Sequence, residues 1–123
     1  MLVACLQFEL TIHDASSLKD KRRVVKSLKD RLHREHLVSV AEVGALDSPS
    51  VAVMGLSVVG REGKPLASVL DKIQQKLMAL HDAELVACRR EFLRLRDEEP
   101  AEGSMDTDAL AAEMLGYAEG EQE

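Results

Sequence analysis

Basic side chains are concentrated between residues 18 and 35, where eight Lys or Arg accompany three acidic residues, a net charge of +5. At about 100° per residue, Arg22, Lys26 and Lys29 fall along one stripe of a helix, with further basic residues beside it. A cationic stripe of this kind suits contacts to phosphate, whose affinity depends on salt because counterions are released. The candidate RNA- or phosphate-binding residues are Lys19, Arg22, Arg23, Lys26, Lys29 and Arg34.

The alternative interpretation of this helix is an ordinary solvated surface. Lys26 with Asp30, and Asp30 with Arg34, have the i, i+4 spacing at which opposite charges stabilise an isolated helix. The density of positive charge, rather than the mere presence of lysines, favours a role in binding.

No pattern typical of catalysis or of metal binding accompanies the basic residues. His33 and His36 have helical spacing, but no Cys or carboxylate cluster completes a metal site around them. Cys5 and Cys88 fall in strands predicted to be neighbours, which leaves open whether they lie close together, and strand cysteines of this kind are expected to be inert packing residues. Since no Ser-His-acid or Cys-His arrangement is recognisable either, the sequence predicts a non-enzymatic protein with no catalytic residue, metal or cofactor.

Two features of known RNA-binding modules are weak or missing. Residues Gly60 to Gly63 match the GxxG loop of KH domains, but they follow a strand instead of joining two helices, which favours a plain turn. The third predicted strand carries no aromatic residue, and Phe8 has the parity of the core, so base stacking on the sheet is disfavoured. Any contact with RNA is therefore predicted to involve its phosphate groups and the shape of its backbone rather than its bases.

The first 95 residues have the pattern of two β-α-β units. Even-numbered positions from Leu2 to Ile12 are apolar, which predicts a strand with one buried face. Ser17 is expected to cap a helix, further strands are expected over 37–43, 51–59 and 83–95, and Pro65 suits the start of a second helix. This order predicts an α+β, ferredoxin-like β-α-β-β-α-β sandwich, a four-stranded antiparallel sheet with two helices on one face.

The other face of this sheet is predicted to be open and half apolar. A face of this kind usually marks a contact surface, so a homodimer or a small-ligand-binding module built on it is the alternative function. The candidate residues of this dimer face are Val3, Cys5, Gln7, Val53 and Val59.

The net charge of −6 on 123 residues combines two unlike parts. Residues 1–95 hold 15 basic and 12 acidic side chains, a net of +3, whereas residues 96–123 hold one basic and ten acidic, a net of −9. We therefore predict a domain over 1–95 and an acidic, disordered tail over 96–123. Tethering gives such a tail a high effective concentration, so it is expected to compete with phosphate for the basic helix.

The sequence also indicates a compartment. No apolar run approaches the ~20 residues of a membrane span, and the first residues lack the layout of a signal peptide. Two cysteines far apart suit a reducing environment. We expect a cytoplasmic protein without a membrane partner.

Residues 2–4, the block SLKDKR at 17–22 with its continuation to residue 32, and residues 38–43 resemble the YlxP-like family of small bacterial proteins. The resemblance covers roughly residues 1–95 and implies a ferredoxin-like fold with an undefined biochemical function. Members are commonly encoded beside translation factors and ribosome-binding factor A, which implies ribosomal RNA or ribosome-assembly factors as partners. The segment 44–50 departs from the polar family pattern, so any function of that loop is expected to be altered here.

Overall fold

A computed structural model describes residues 1–96, so almost all of the predicted acidic tail lies outside the described residues. The elements follow in the order β-α-β-β-α-β, which confirms the predicted ferredoxin-like arrangement. They are β1 (Leu2–Ile12), α1 (Leu18–His36), β2 (Ser39–Gly44), β3 (Val51–Gly60), α2 (Gly63–Met78) and β4 (Ala83–Arg94). Within this part of the chain, no helix combines the length and apolar character needed to cross a membrane.

The four strands form one antiparallel sheet in the order β2-β3-β1-β4, and each helix connects two strands that are not neighbours. The core lies between this sheet and the helices, where alternate strand residues meet one stripe of each helix. Its largest apolar side chains include Leu6, Phe8, Leu10, Leu32, Met54, Leu70, Ile73 and Leu77, all fully buried. Burial of each contributes about 1.5–3 kcal/mol, which fixes the helices on one face of the sheet.

The start of α1 is fixed by its cap. Ser17 Oγ accepts a hydrogen bond from the backbone N–H of Asp20 at 3.2 Å, as the sequence predicts. The Asp20 carboxylate in turn accepts from the hydroxyl of Ser16 at 3.0 Å and from its backbone N–H at 3.2 Å. These bonds, that of the Ser16 hydroxyl first, lower the pKa of Asp20. The cap therefore sets which residues of α1 turn towards the sheet.

Two element boundaries differ from the sequence prediction. β2 begins at Ser39 rather than residue 37, because Leu37 takes up a left-handed backbone conformation with φ of 53°. Its N–H donates to His33 O at 2.9 Å and ends α1. α2 begins at Gly63, two residues before Pro65, which lies in the first turn where its missing N–H costs no helical hydrogen bond.

The face of the sheet away from the helices is open, as predicted. Val3, Cys5 and Gln7 of β1 stand on this face, opposite Val59, Ser57 and Gly55 of β3. Their side chains are exposed or half-buried, whereas the intervening residues of β1 are buried. All five predicted dimer-face residues share this surface: Val3, Cys5, Gln7, Val53 and Val59.

The two cysteines do not lie side by side, although their strands are neighbours as predicted. Cys5 stands on the open face, whereas Cys88 pairs with Phe8 and packs against the core on the helix side. The cause is a register shift between Glu9 and Leu10, where β4 accommodates an extra residue and its later side chains change face.

Candidate nucleic-acid interface

The six predicted phosphate-binding residues lie on the side of α1 that faces away from the sheet. The opposite side, which the sheet covers, carries Lys21, Val25, Leu28 and Leu32. Because α1 is continuous, about 100° of rotation per residue places the predicted residues on the solvent arc. We call the surface formed by Lys19, Arg22, Arg23, Lys26, Lys29 and Arg34 the basic face of α1. All of its side chains are exposed except that of Lys29, which is half-buried.

Most side chains of the basic face have no ion-pair partner within residues 1–96. Lys26 forms an ion pair, with Nζ 3.0 Å from Asp30 Oδ2, and both side chains are largely exposed. This hydrogen bond and the charge of Lys26 lower the pKa of Asp30, and the charges of Lys29 and Arg34 act in the same direction. The predicted Asp30–Arg34 ion pair is not formed. Apart from that of Lys26, the side chains of the basic face make no hydrogen bond or ion pair to residues 1–96.

A shallow groove of about 410 Å³ runs between the basic face and β2. Lys29 and His33 line one side of it, and Leu37 and Ser39 line the other. His33 Nδ1 donates to the carbonyl oxygen of Val38 at 2.9 Å, because a carbonyl can only accept. This bond fixes the ring at the groove and leaves Nε2 for a ligand or for water.

Sequence reasoning missed the role of one further cation of α1, Lys21, whose side chain is only 1% exposed. Its Nζ donates to the carbonyl oxygens of Ala45 at 2.8 Å and Val51 at 3.2 Å. It also lies 2.9 Å from Glu42 Oε2, a buried oxygen that no other group in residues 1–96 pairs. Its position in the helix could have indicated its burial. Val25 and Leu28 follow Lys21 by four and seven residues, so Lys21 lies on the same buried stripe as these two residues.

Lys21 ties the 44–50 loop to α1. Ala45 takes up a left-handed conformation with φ of 53°, and the N–H of Ser48 donates to its carbonyl oxygen at 3.0 Å. Ser48 Oγ then accepts from the N–H of Val51 at 3.1 Å, where β3 begins. The loop that departs from the family pattern is therefore a closed turn around an ammonium group. It contacts the buried side of α1 rather than the basic face.

At its C-terminal end, α1 meets α2 through a small charged cluster. Lys76 donates to the Glu35 carboxylate and lies 2.7 Å from His36 Nε2. The hydrogen bond from Lys76 lowers the pKa of Glu35, and burial followed by the Lys76 charge lowers the pKa of His36. His36 is therefore a neutral acceptor near pH 7 and adds nothing to the positive surface. Within residues 1–96, no three His, Cys, Asp or Glu side chains are grouped as metal ligands.

Comparison with known proteins identifies a family. The model of a family described as "Protein of unknown function (DUF503)" matches residues 3–90, from β1 to most of β4. The chain is also 25% identical over 91 residues to the uncharacterized protein YlxP of Bacillus subtilis, an alignment that covers 74% of this chain and 99% of the Bacillus protein. The chain therefore belongs to the DUF503 family of proteins of unknown function, as its YlxP-like sequence blocks predict.

Proposed function

We propose that this protein is a non-enzymatic, cytoplasmic accessory factor that binds structured RNA, free or within a ribosomal particle, through the basic face of α1. The observation that carries the proposal is a row of six cations, five of them exposed, of which only Lys26 has an ion-pair partner within residues 1–96. Such cations do not stabilise one another, and they are well placed to neutralise the phosphates of a nucleic acid. The translation context implied by the family resemblance agrees with this class of partner.

The dimensions of the basic face suit a nucleic-acid backbone. From Lys19 to Arg34 the helix rises about 22 Å, at 1.5 Å per residue, which spans several consecutive phosphates. Neutralising five phosphates gives a slope of log affinity against log salt of about −3.5 to −4.5. Since the sheet offers no aromatic platform, the binding is expected to depend on backbone geometry rather than on base identity.

The test replaces Arg22, Arg23, Lys26 and Lys29 together with Gln. We expect loss of retention on ribosomal particles or structured RNA, together with a flattened salt dependence, measured by co-sedimentation and filter binding at two salt concentrations. A matched control removes the same number of charges outside α1, at Arg61, Lys64, Lys72 and Arg94, which are exposed. Retention that survives in the α1 variant, with its fold intact by circular dichroism, would refute the proposal.

The open face supports a second candidate function, a homodimeric interaction or small-ligand module. A depression of about 350 Å³ lies over Gly55 on this face, with Cys5, Ala41 and Val43 among the residues around it. Binding there is expected to be insensitive to the four α1 substitutions, so the same variants separate the two functions.

A further inference from the structure

Side chains on the open face form rows that run across the strands. The first row is Val59, Val3 and Leu93; the second is Ser57, Cys5 and Glu91; the third is Gly55, Gln7 and Arg89; the fourth is Val53, Glu9 and Ala87. β2 adds Ser39 to the second row and Ala41 to the third. The first row is therefore apolar, and Val53 and Ala87 flank Glu9 in the fourth, whereas the charges of β4 stand in the second and third rows. The exposed Val43 of β2 also stands on this face, where it lies over Gly55 of the third row.

We propose that two copies of this chain pack open face to open face, about a two-fold axis that crosses the strands between the second and third rows. With this axis, each strand lies over the same strand of the partner, and the two run in opposite directions. The first row then meets the partner's fourth row, and the second row meets the partner's third. The aligned packing keeps the two strand directions within about 30° of each other, as in β-sandwiches.

The apolar ends of the face are complementary under this symmetry. Val59, 59% exposed, meets the partner's Val53, and Leu93, 52% exposed, meets the partner's Ala87. Because each contact occurs twice, four apolar pairs close the two ends of the interface. Val3 meets the partner's Glu9, which is the one unlike pairing among these rows.

The charged centre is complementary too. Arg89 meets the partner's Glu91, and Glu91 meets the partner's Arg89, so both ion pairs form at once. Neither side chain has a hydrogen bond or ion pair within residues 1–96, whereas Arg90, on the helix side, contacts Asp71 and Gln74 of α2. Arg89 is thus the β4 cation for which a second copy supplies a partner.

The size of the face agrees with a modest dimer. The rows are spaced about 6.8 Å apart along the strands, and the strands are about 4.8 Å apart. Four rows on four strands therefore cover an area of roughly 500 Å² per copy, or about 1,000 Å² for the pair. That total lies at the lower limit for a specific interface, so we expect association at micromolar concentrations. The face also carries Glu9, Glu84 and Glu91 against Arg89 alone, which disfavours a nucleic acid as its occupant.

A charge exchange on the full-length protein tests this arrangement by sedimentation equilibrium. The wild type is expected to be a dimer at tens of micromolar, and Arg89→Glu or Glu91→Arg alone is expected to weaken dimerisation by about tenfold or more. Mixing the two single variants should give a one-to-one heterodimer, because all cross-interface charges are then opposite. The double variant should recover the homodimer.

The apolar rows provide a second measurement. Val59→Lys should also give a monomer, whereas Met78→Lys, the same kind of change at an exposed residue of α2, should leave the dimer intact. The proposal is overturned if the wild type is monomeric, if the single variants associate as the wild type does, or if their mixture stays monomeric. Circular dichroism of each variant separates these results from loss of folding.

Discussion

At the scale of single residues, Lys21 is the most consequential side chain. Removing an ammonium group from water costs several kcal/mol unless its donors are all used and an opposite charge lies beside it. Here two carbonyl oxygens and the Glu42 carboxylate satisfy these donors, and a third carbonyl, of Leu46, lies 3.4 Å away. The same group therefore joins α1, β2 and the start of β3.

We expect Lys21→Met to lower the free energy of unfolding by about 3 kcal/mol, because it leaves the buried Glu42 oxygen and the carbonyls of the loop without their donor. Urea denaturation measures this change. The matched Lys19→Met, two residues away on the exposed side of the helix, should change the same quantity by less than about 0.5 kcal/mol. Combining Lys21→Met with Glu42→Leu should recover part of the loss. Equal effects at the two lysines would contradict the burial of Lys21.

His36 makes the stability depend on pH. Its pKa in the folded protein lies below the ordinary value of 6.5, so the unfolded chain binds a proton more readily in the window just below that value. Stability from this group is present above the window and is lost as the pH falls. We expect the midpoint temperature of thermal unfolding to decrease as the pH is lowered from about 7 to about 5. His36→Gln should decrease less, and an unchanged pH dependence in that variant would assign it to other groups.

At the scale of elements, the turn between β3 and α2 contains two glycines with different roles. A Cβ on Gly60 would lie 2.8 Å from Cδ2 of Leu66, which is buried at the start of α2 and has little room to move. A Cβ on Gly63 would meet nothing within 4 Å. Gly60 therefore permits the close approach of β3 and α2, whereas Gly63 can be replaced by a residue with a side chain.

Gly60→Ala is expected to lower the free energy of unfolding by about 1–2 kcal/mol through overpacking. Gly63→Ala is expected to raise it by about 0.5 kcal/mol, because alanine restricts the unfolded chain and favours the helix. Thermal unfolding of both variants tests this pair. RNA affinity unchanged in Gly63→Ala would agree with a plain turn, whereas a large loss would favour a backbone clamp of the KH type.

The elements also show why sequence reasoning succeeded in some places and failed in others. β1 was predictable to the residue because its alternation is strict and one of its faces is fully buried. The faces of β4 were not, because the register shift opposite Glu9 and Leu10 inverts the parity partway along the strand. Lys21 escaped detection because a lysine in an apolar stripe is usually exposed, and its loop partners lie more than 20 residues away. The left-handed Leu37 had no signal, since glycine usually takes that position.

At the scale of the whole molecule, the charge is distributed more unevenly than composition suggests. Removing the enclosed Lys21 from the +5 of residues 18–35 leaves +4 at the surface of α1. Residues 97–123, outside the described part of the chain, hold ten acidic side chains and no basic ones. The predicted competition between this segment and phosphate for the basic face therefore depends on attraction between oppositely charged parts of one chain.

We expect the chain shortened to residues 1–95 to bind RNA more tightly than the full chain at low salt. The difference should shrink as salt rises, because screening weakens the attraction between the segment and the basic face. Filter binding at several salt concentrations measures both effects. A full-length variant with the ten acidic residues changed to Asn or Gln controls for chain length. Equal affinities of all three proteins would exclude autoinhibition.

The two ends of the described chain meet at one corner of the sheet. Met1 O accepts from the N–H of Leu95 at 2.8 Å, and the Met1 ammonium group donates to Leu95 O at 3.2 Å. Because β4 starts at the opposite end, where Ala83 pairs with Ile12, the turn after α2 is remote from this corner. A circular permutant joined between residues 95 and 1 and opened at that turn would keep all four strands. With the acidic segment attached at the new C-terminus, it would start at the other end of the sheet, where Leu80 and Asp82 lie beside Val24 and Arg31 in the middle of α1. This permutant would separate the effect of the segment's position from that of its charge.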